Sequence, residues 1–132
     1  MLTGLKILLA EDNSLNQKIA NFMLAKNGVE VVTVGNGLEA INELEKNEYD
    51  LVLMDVQMPE MNGLEATEHI RKVMKSDIPI VALSASSFDD ELKKCIASGM
   101  NAYIVKPIDI VKLSDIIHTL SKENKIITRS TL

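Results

Sequence analysis

Three carboxylates, one hydroxyl and one ammonium group of this 132-residue chain fall where they could act together. Glu11 and Asp12 follow the apolar run Lys6 to Ala10, Asp55 follows Asp50 to Met54, Ser84 follows Ile78 to Leu83, and Lys106, with Pro107 after it, follows Ala102 to Val105. Carboxylates brought together repel one another and raise at least one proton affinity unless a hard, oxygen-preferring cation sits among them, and magnesium is the natural occupant. A lysine at the same edge adds a second positive group. Such a set would welcome a phosphoryl group beside the metal, with Ser84 supplying a hydrogen bond. An aspartate can act as a nucleophile and become an aspartyl-phosphate while metal and lysine neutralise charge on the transferring oxygens.

For that chemistry to occur, the runs must be strands that end side by side. Each of the four, and a fifth from Glu30 to Val34, has strand length and is rich in β-branched or aliphatic residues. Longer segments of helical period lie between and after them. Leu15, Ile19, Phe22 and Met23 fall on one helical face, and Ile110, Leu113, Ile116, Ile117 and Leu120 form an apolar stripe that reads as core. Ser14 precedes the first helix and Gly28 follows it; Gly37, Gly63 and Gly99 punctuate later boundaries. Ser87 with Asp90 resembles a capping box, Asp109 can cap the last helix, and Asp89, Asp90 and Glu91 suit a helix N-terminus.

Continuous apolar strands, each followed by a helix, indicate an α/β fold: a doubly wound parallel sheet of βα repeated five times, with both faces covered. Ligands of such sheets bind outside the carboxyl ends of the strands. Asp55 is the candidate acceptor because it ends the middle strand, flanked by the strands that carry the acidic pair and Ser84. Residues 1–122 read as one domain and 123–132 as a fraying tail.

Composition narrows the function. Fourteen basic against nineteen acidic residues give a net charge of −5, which disfavours a sequence-independent grip on nucleic acid. No apolar run approaches the roughly 20 residues that span a bilayer, and Met1 to Ala10 lacks a secretory signal's features, so a cytoplasmic domain without membrane contact is expected. The single cysteine, Cys95, reads as an ordinary buried side chain. The core must be aliphatic, since Phe22, Tyr49, Phe88 and Tyr103 are the only aromatic residues.

Five motifs in order resemble the receiver domains of two-component response regulators, over roughly Leu5 to Leu120: Leu8-Leu9-Ala10-Glu11-Asp12-Asn13, Val52-Leu53-Met54-Asp55-Val56-Gln57-Met58-Pro59, Asn62-Gly63, Ser84-Ala85 and Lys106-Pro107. The resemblance implies a flavodoxin-like sandwich of strand order 2-1-3-4-5. It also implies that Asp55 accepts phosphate from a phosphohistidine on a histidine kinase or histidine phosphotransfer protein. Mg2+ would be held by Asp12 and Asp55 directly, by Glu11 through a metal-bound water and by the Gln57 backbone carbonyl. Lys106 would contact the phosphoryl oxygens, Ser84 would swing toward them, and Tyr103 would occupy the switch-aromatic position. A cis Lys106–Pro107 bond is implied as well. The readout would be the face of the fourth helix, fifth strand and fifth helix, about Phe88 to Leu120, acting on a downstream protein, in a monomer or a phosphorylation-dependent dimer. Such a signalling domain catalyses only its own phosphorylation and dephosphorylation. The run from Glu11 to Gln17 is similar to receivers attached to hybrid histidine kinases, so two readings stand: a stand-alone regulator, or the excised receiver of such a kinase, relaying phosphate onward.

Blander readings compete residue by residue. Asp55, Ser84 or Lys106 alone would be a capping or solvated side chain, and Glu11-Asp12 alone ordinary loop charge. Their shared edge favours function. Tyr103 could be plain packing; Met54, Met58 and Met61 read as packing, and His69 and His118 as surface positions. A flavin protein of this architecture would need a phosphate-binding loop where two carboxylates stand. A phosphatase using an aspartyl-phosphate usually carries a second Asp where Gln57 stands. A phosphate-independent interaction module is the remaining alternative.

Overall fold

Five apolar runs become the strands of one parallel sheet in the computed structural model, which describes residues 2–85 and 89–123. In chain order the elements are β1 (Lys6–Ala10), α1 (Ser14–Lys26), β2 (Glu30–Val34), α2 (Gly37–Lys46), β3 (Leu51–Asp55), α3 (Gly63–Lys72), β4 (Ile80–Ser84), α4 (Asp89–Ser98), β5 (Ala102–Val105) and α5 (Ile110–Lys122). The strand order is β2-β1-β3-β4-β5, as expected, with every neighbouring pair parallel.

Side chains alternate across a strand, and here both faces are apolar. Ile7, Leu9, Leu51, Leu53, Val81, Leu83 and Ile104 face α1 and α5, whereas Leu8, Ala10, Val52, Met54, Ile80 and Ala82 face the side formed by α2, α3 and α4. The α5 stripe is core: Leu113, Ile117 and Leu120 are buried. Cys95 is buried too, and Met58 and Met61 pack against the second core.

Several local expectations shift. The N-cap of α1 is Asn13, whose side chain accepts from the Asn16 N–H at 2.9 Å, and Ser14 is the first helical residue. Strand β3 runs one residue later than Asp50 to Met54, and β4 begins at Ile80 because Pro79, without an N–H, cannot join the ladder as donor. The Ser87–Asp90 capping box, Phe88 at the start of the proposed readout face, and tail residues 124–132 lie outside the described residues. Asp89, Asp90 and Glu91 do form the first turn of α4.

The largest revision concerns α1. The sheet covers Ala20 and Leu24, while Leu15, Ile19 and Phe22 stand 64%, 43% and 68% exposed and Met23 is half-buried. At 3.6 residues per turn Ala20 and Leu24 lie about 140–180° around the helix from Leu15. Both stripes have helical spacing, and the bulkier one faces solvent.

Candidate functional site

Strand register brings the chemistry together. Ala10 pairs with Met54, so Glu11 stands level with Asp55 at the carboxyl edge; Asp55 pairs with Leu83, and Ser84 with Val105, so Ser84 and Lys106 reach the same edge. The Lys106 N–H donates to the Ser84 carbonyl at 2.7 Å, and the Lys106–Pro107 bond is cis.

The Lys106 ammonium lies 2.8 Å from Glu11 Oε1 and 2.9 Å from Asp55 Oδ2. The other carboxylate oxygens take backbone donors: Asn13 N–H to Glu11 Oε2 and Gln57 N–H to Asp55 Oδ1, both at 3.2 Å. Glu11 and Asp55 are 2% and 4% exposed, whereas Asp12 is open to solvent. One oxygen from each of Glu11, Asp12 and Asp55 lies within 4.8 Å of the others. Two carboxylates hold one ammonium and a third stands beside them, leaving negative charge in excess. Hard oxygen donors so spaced are the donor set that a divalent cation such as Mg2+ prefers.

Proton affinities record this crowding. Burial, then the neighbouring Glu11 carboxyl, pushes Asp55 up to about 6, against the opposing pull of Lys106. Burial also works to raise Glu11, but hydrogen bonds from Asp55, Lys106 and the Asn13 N–H outweigh it and hold Glu11 below the usual carboxylate range. Burial opposes the charge on Lys106, yet the two carboxylates win and raise its proton affinity.

Three neighbours of the site were not legible as such. The Gln17 side-chain amide donates to the Glu11 carbonyl, fixing the acidic pair from α1. The Gly63 N–H donates to the Val56 carbonyl at 3.0 Å, and a Cβ on Gly63 would overlap the Asp55 carbonyl oxygen, so only glycine lets α3 start against the acceptor strand. The third is Glu91 in α4, whose Oε2 accepts a hydrogen bond from the hydroxyl of fully buried Ser84 at 3.2 Å. Gly63 was visible as part of a turn and Glu91 as a helix-start acid; their contacts to the site depend on tertiary packing.

Tyr103 is 43% exposed, on the outer part of the sheet. His118 lies exposed on α5, and His69 is half-buried in α3 rather than a surface position. No helix among the described residues is long and apolar enough to cross a membrane.

Known proteins resemble this chain in sequence and in fold. The sequence pattern of the response regulator receiver domain matches residues 7–118. Hybrid signal transduction histidine kinase B of Dictyostelium discoideum is 42% identical over 131 residues, covering 90% of this chain and 6% of that protein. The chain spans between 3% and 15% of the length of three such curated relatives. The receiver domain of sensor histidine kinase PA1611 from Pseudomonas aeruginosa, solved with a magnesium ion coordinated in its active-site cleft, matches with a TM-score of 0.79 and 35% identity, over 89% of this chain and 97% of that one. The receiver domain of the Saccharomyces cerevisiae response regulator Ssk1, co-crystallised with the histidine phosphotransfer protein Ypd1, represents a match with a TM-score of 0.85 and 30% identity, over 98% and 97% of the two chains.

Proposed function

The chain belongs to the response regulator receiver domain family, and on that premise we propose that Asp55 accepts a phosphoryl group from the phosphohistidine of a histidine kinase or histidine phosphotransfer protein. One Asp55 carboxylate oxygen attacks phosphorus; a P–O bond forms as the P–N bond breaks, and the imidazole leaves with the bonding pair. Glu11, Asp12, Asp55 and the Gln57 backbone carbonyl would hold Mg2+, Glu11 through a metal-bound water. When bound, the ion supplies positive charge that offsets repulsion between the carboxylates and the incoming phosphoryl oxygens. Lys106, already placed between Glu11 and Asp55, turns its ammonium to those oxygens, and the Ser84 hydroxyl donates to one of them.

The added charge and acceptor oxygens bias a two-state surface. Tyr103 moves inward as Ser84 moves, and the face of α4, β5 and α5 presents the change to a downstream protein, from a monomer or a phosphorylation-dependent dimer. The exposed stripe of Leu15, Ile19 and Phe22 starts one turn beyond Asp12 and is a fitting apolar seat for the phosphohistidine-bearing protein. Residues 1–122 act as the receiver, in the cytoplasm, and the domain catalyses only its own phosphorylation and dephosphorylation. The relatives that are hybrid kinases favour a relay variant of this reading, in which Asp55 passes the group on to a histidine of a phosphotransfer protein.

The observation that carries the proposal is the Glu11–Lys106–Asp55 constellation with Asp12 beside it. Incubation with a small phosphoryl donor should label the wild type in a Mg2+-dependent way, and Asp55→Asn should take up nothing. Label retained by Asp55→Asn would overturn the acceptor assignment.

A further inference from the structure

The three acids that open α4, Asp89, Asp90 and Glu91, would each suit the positive end of a helix, but Glu91 does something more. Its Oε2 takes the hydrogen bond of the Ser84 hydroxyl across the β4–α4 connection. Ser84 is fully buried, the last residue of β4, and its carbonyl is held by the Lys106 N–H, so its backbone is fixed at the site edge. A serine hydroxyl has one proton to give. It cannot donate to the Glu91 carboxylate and to a phosphoryl oxygen on Asp55 at once.

We infer that Glu91 is a positioning residue that holds the Ser84 hydroxyl on α4 until a phosphoryl group on Asp55 competes for it. The inference rests on the phosphoacceptor reading above. At 3.2 Å the bond is long for a hydroxyl and a carboxylate, which usually meet at about 2.5–2.7 Å. The hold is therefore weak, and a charged phosphoryl oxygen with better geometry displaces it. Because the acceptor belongs to α4 and the donor to β4, the exchange of partners at Ser84 also releases the first turn of α4. This links an event at Asp55 to the proposed readout face through one hydrogen bond.

The test measures binding of beryllium fluoride, a phosphoryl mimic, to the full chain with saturating Mg2+. Glu91→Ala and Glu91→Gln both remove the Glu91 charge and leave Asp89 and Asp90 in place, but only alanine removes the acceptor oxygen. Glu91→Ala is expected to bind roughly three- to tenfold more tightly than wild type, the scale of one lost competing hydrogen bond, with Glu91→Gln between them. In a Ser84→Ala background, where there is no hydroxyl to hold, Glu91→Ala should bring no gain. The Tyr103 NMR signals should reach their bound positions at a correspondingly lower beryllium fluoride concentration in Glu91→Ala. Equal affinity of wild type and Glu91→Ala, or the same gain with and without the Ser84 hydroxyl, would overturn the role of Glu91 and leave the acceptor reading standing. Failure of the wild type itself to bind the mimic with Mg2+ would overturn both.

Discussion

Two half-buried cations sit at opposite edges of the sheet, and their partners separate structure from chemistry. At the amino edge, Arg71 of α3 donates to neutral oxygens: Nε to the Gly99 carbonyl at 2.9 Å, Nη1 to the carbonyls of Ser76 at 3.0 Å and Ile78 at 2.7 Å, and Nη2 to the Asn101 side chain at 2.8 Å. The same Asn101 oxygen accepts the Ile80 N–H at 2.9 Å, so one side chain ties α3 to the entries of β4 and β5. At the carboxyl edge, Lys106 sits between two carboxylates with a third nearby. The guanidinium's fork matches fixed acceptors and leaves nothing to exchange. The ammonium is outnumbered by negative charge, and its partners gain by taking a second cation. Burial alone marks neither residue as functional; the imbalance of charge around it does.

Substitution should drive the two edges apart. Arg71→Ala is expected to cost about 2–4 kcal/mol in urea unfolding, because several carbonyls lose their donor and the apolar stem loses its packing. Phosphoryl uptake by the folded protein should stay unchanged, and added Mg2+ should stabilise the variant no more than it stabilises wild type. Lys106→Met should cost less, about 1–3 kcal/mol without metal, since Asp55 can relieve the exposed repulsion by taking a proton. It should slow uptake from a small phosphoryl donor by about 100-fold, while Mg2+ binds about tenfold more tightly and so restores much of the lost stability. If Mg2+ rescued Arg71→Ala as well as Lys106→Met, the contrast between the edges would fail.

How much of this could be read from the residues follows the range of the interactions. Strand identity, the doubly wound topology and the meeting of Glu11, Asp12, Asp55, Ser84 and Lys106 at one edge follow from runs of apolar residues and what ends them. The orientation of α1 was ambiguous, because Leu15, Ile19 and Phe22 share helical spacing with Ala20 and Leu24, and size alone points to the wrong stripe. The cap fell one residue early since Asn13 and Ser14 are both good N-cap residues. The Arg71 fork and the Ser84–Glu91 bond join side chains from separate elements, across 28 to 30 residues for the Gly99 and Asn101 contacts, and no local pattern announces them.

The smallest of the three expected effects, at Asp55 on the carboxyl edge, has the opposite sign to those at Arg71 and Lys106. Asp55 titrates at about 6 in the folded chain against an ordinary 3.8, because burial and Glu11 disfavour its charge more than Lys106 supports it. The folded state therefore binds the Asp55 proton more tightly than the unfolded state does. Ionised Asp55 weakens the metal-free fold in full above about pH 6, the weakening fades as pH falls through that value, and below 3.8 it is gone. Asn keeps the shape and never ionises. In chelator at pH 7.5, Asp55→Asn should be more stable than wild type by about 1–2 kcal/mol, less than the roughly 3 kcal/mol that the full shift would give because Lys106 loses a charged partner. Melting curves at descending pH should bring the two proteins together near pH 4, and saturating Mg2+ at pH 7.5 should narrow the gap by favouring the ionised carboxylate of the wild type. A gap that persisted at pH 4, or a wild type more stable than Asp55→Asn in chelator at pH 7.5, would mean that Lys106 fully satisfies Asp55. The carboxyl edge would then resemble the Arg71 edge: a paired charge that serves structure.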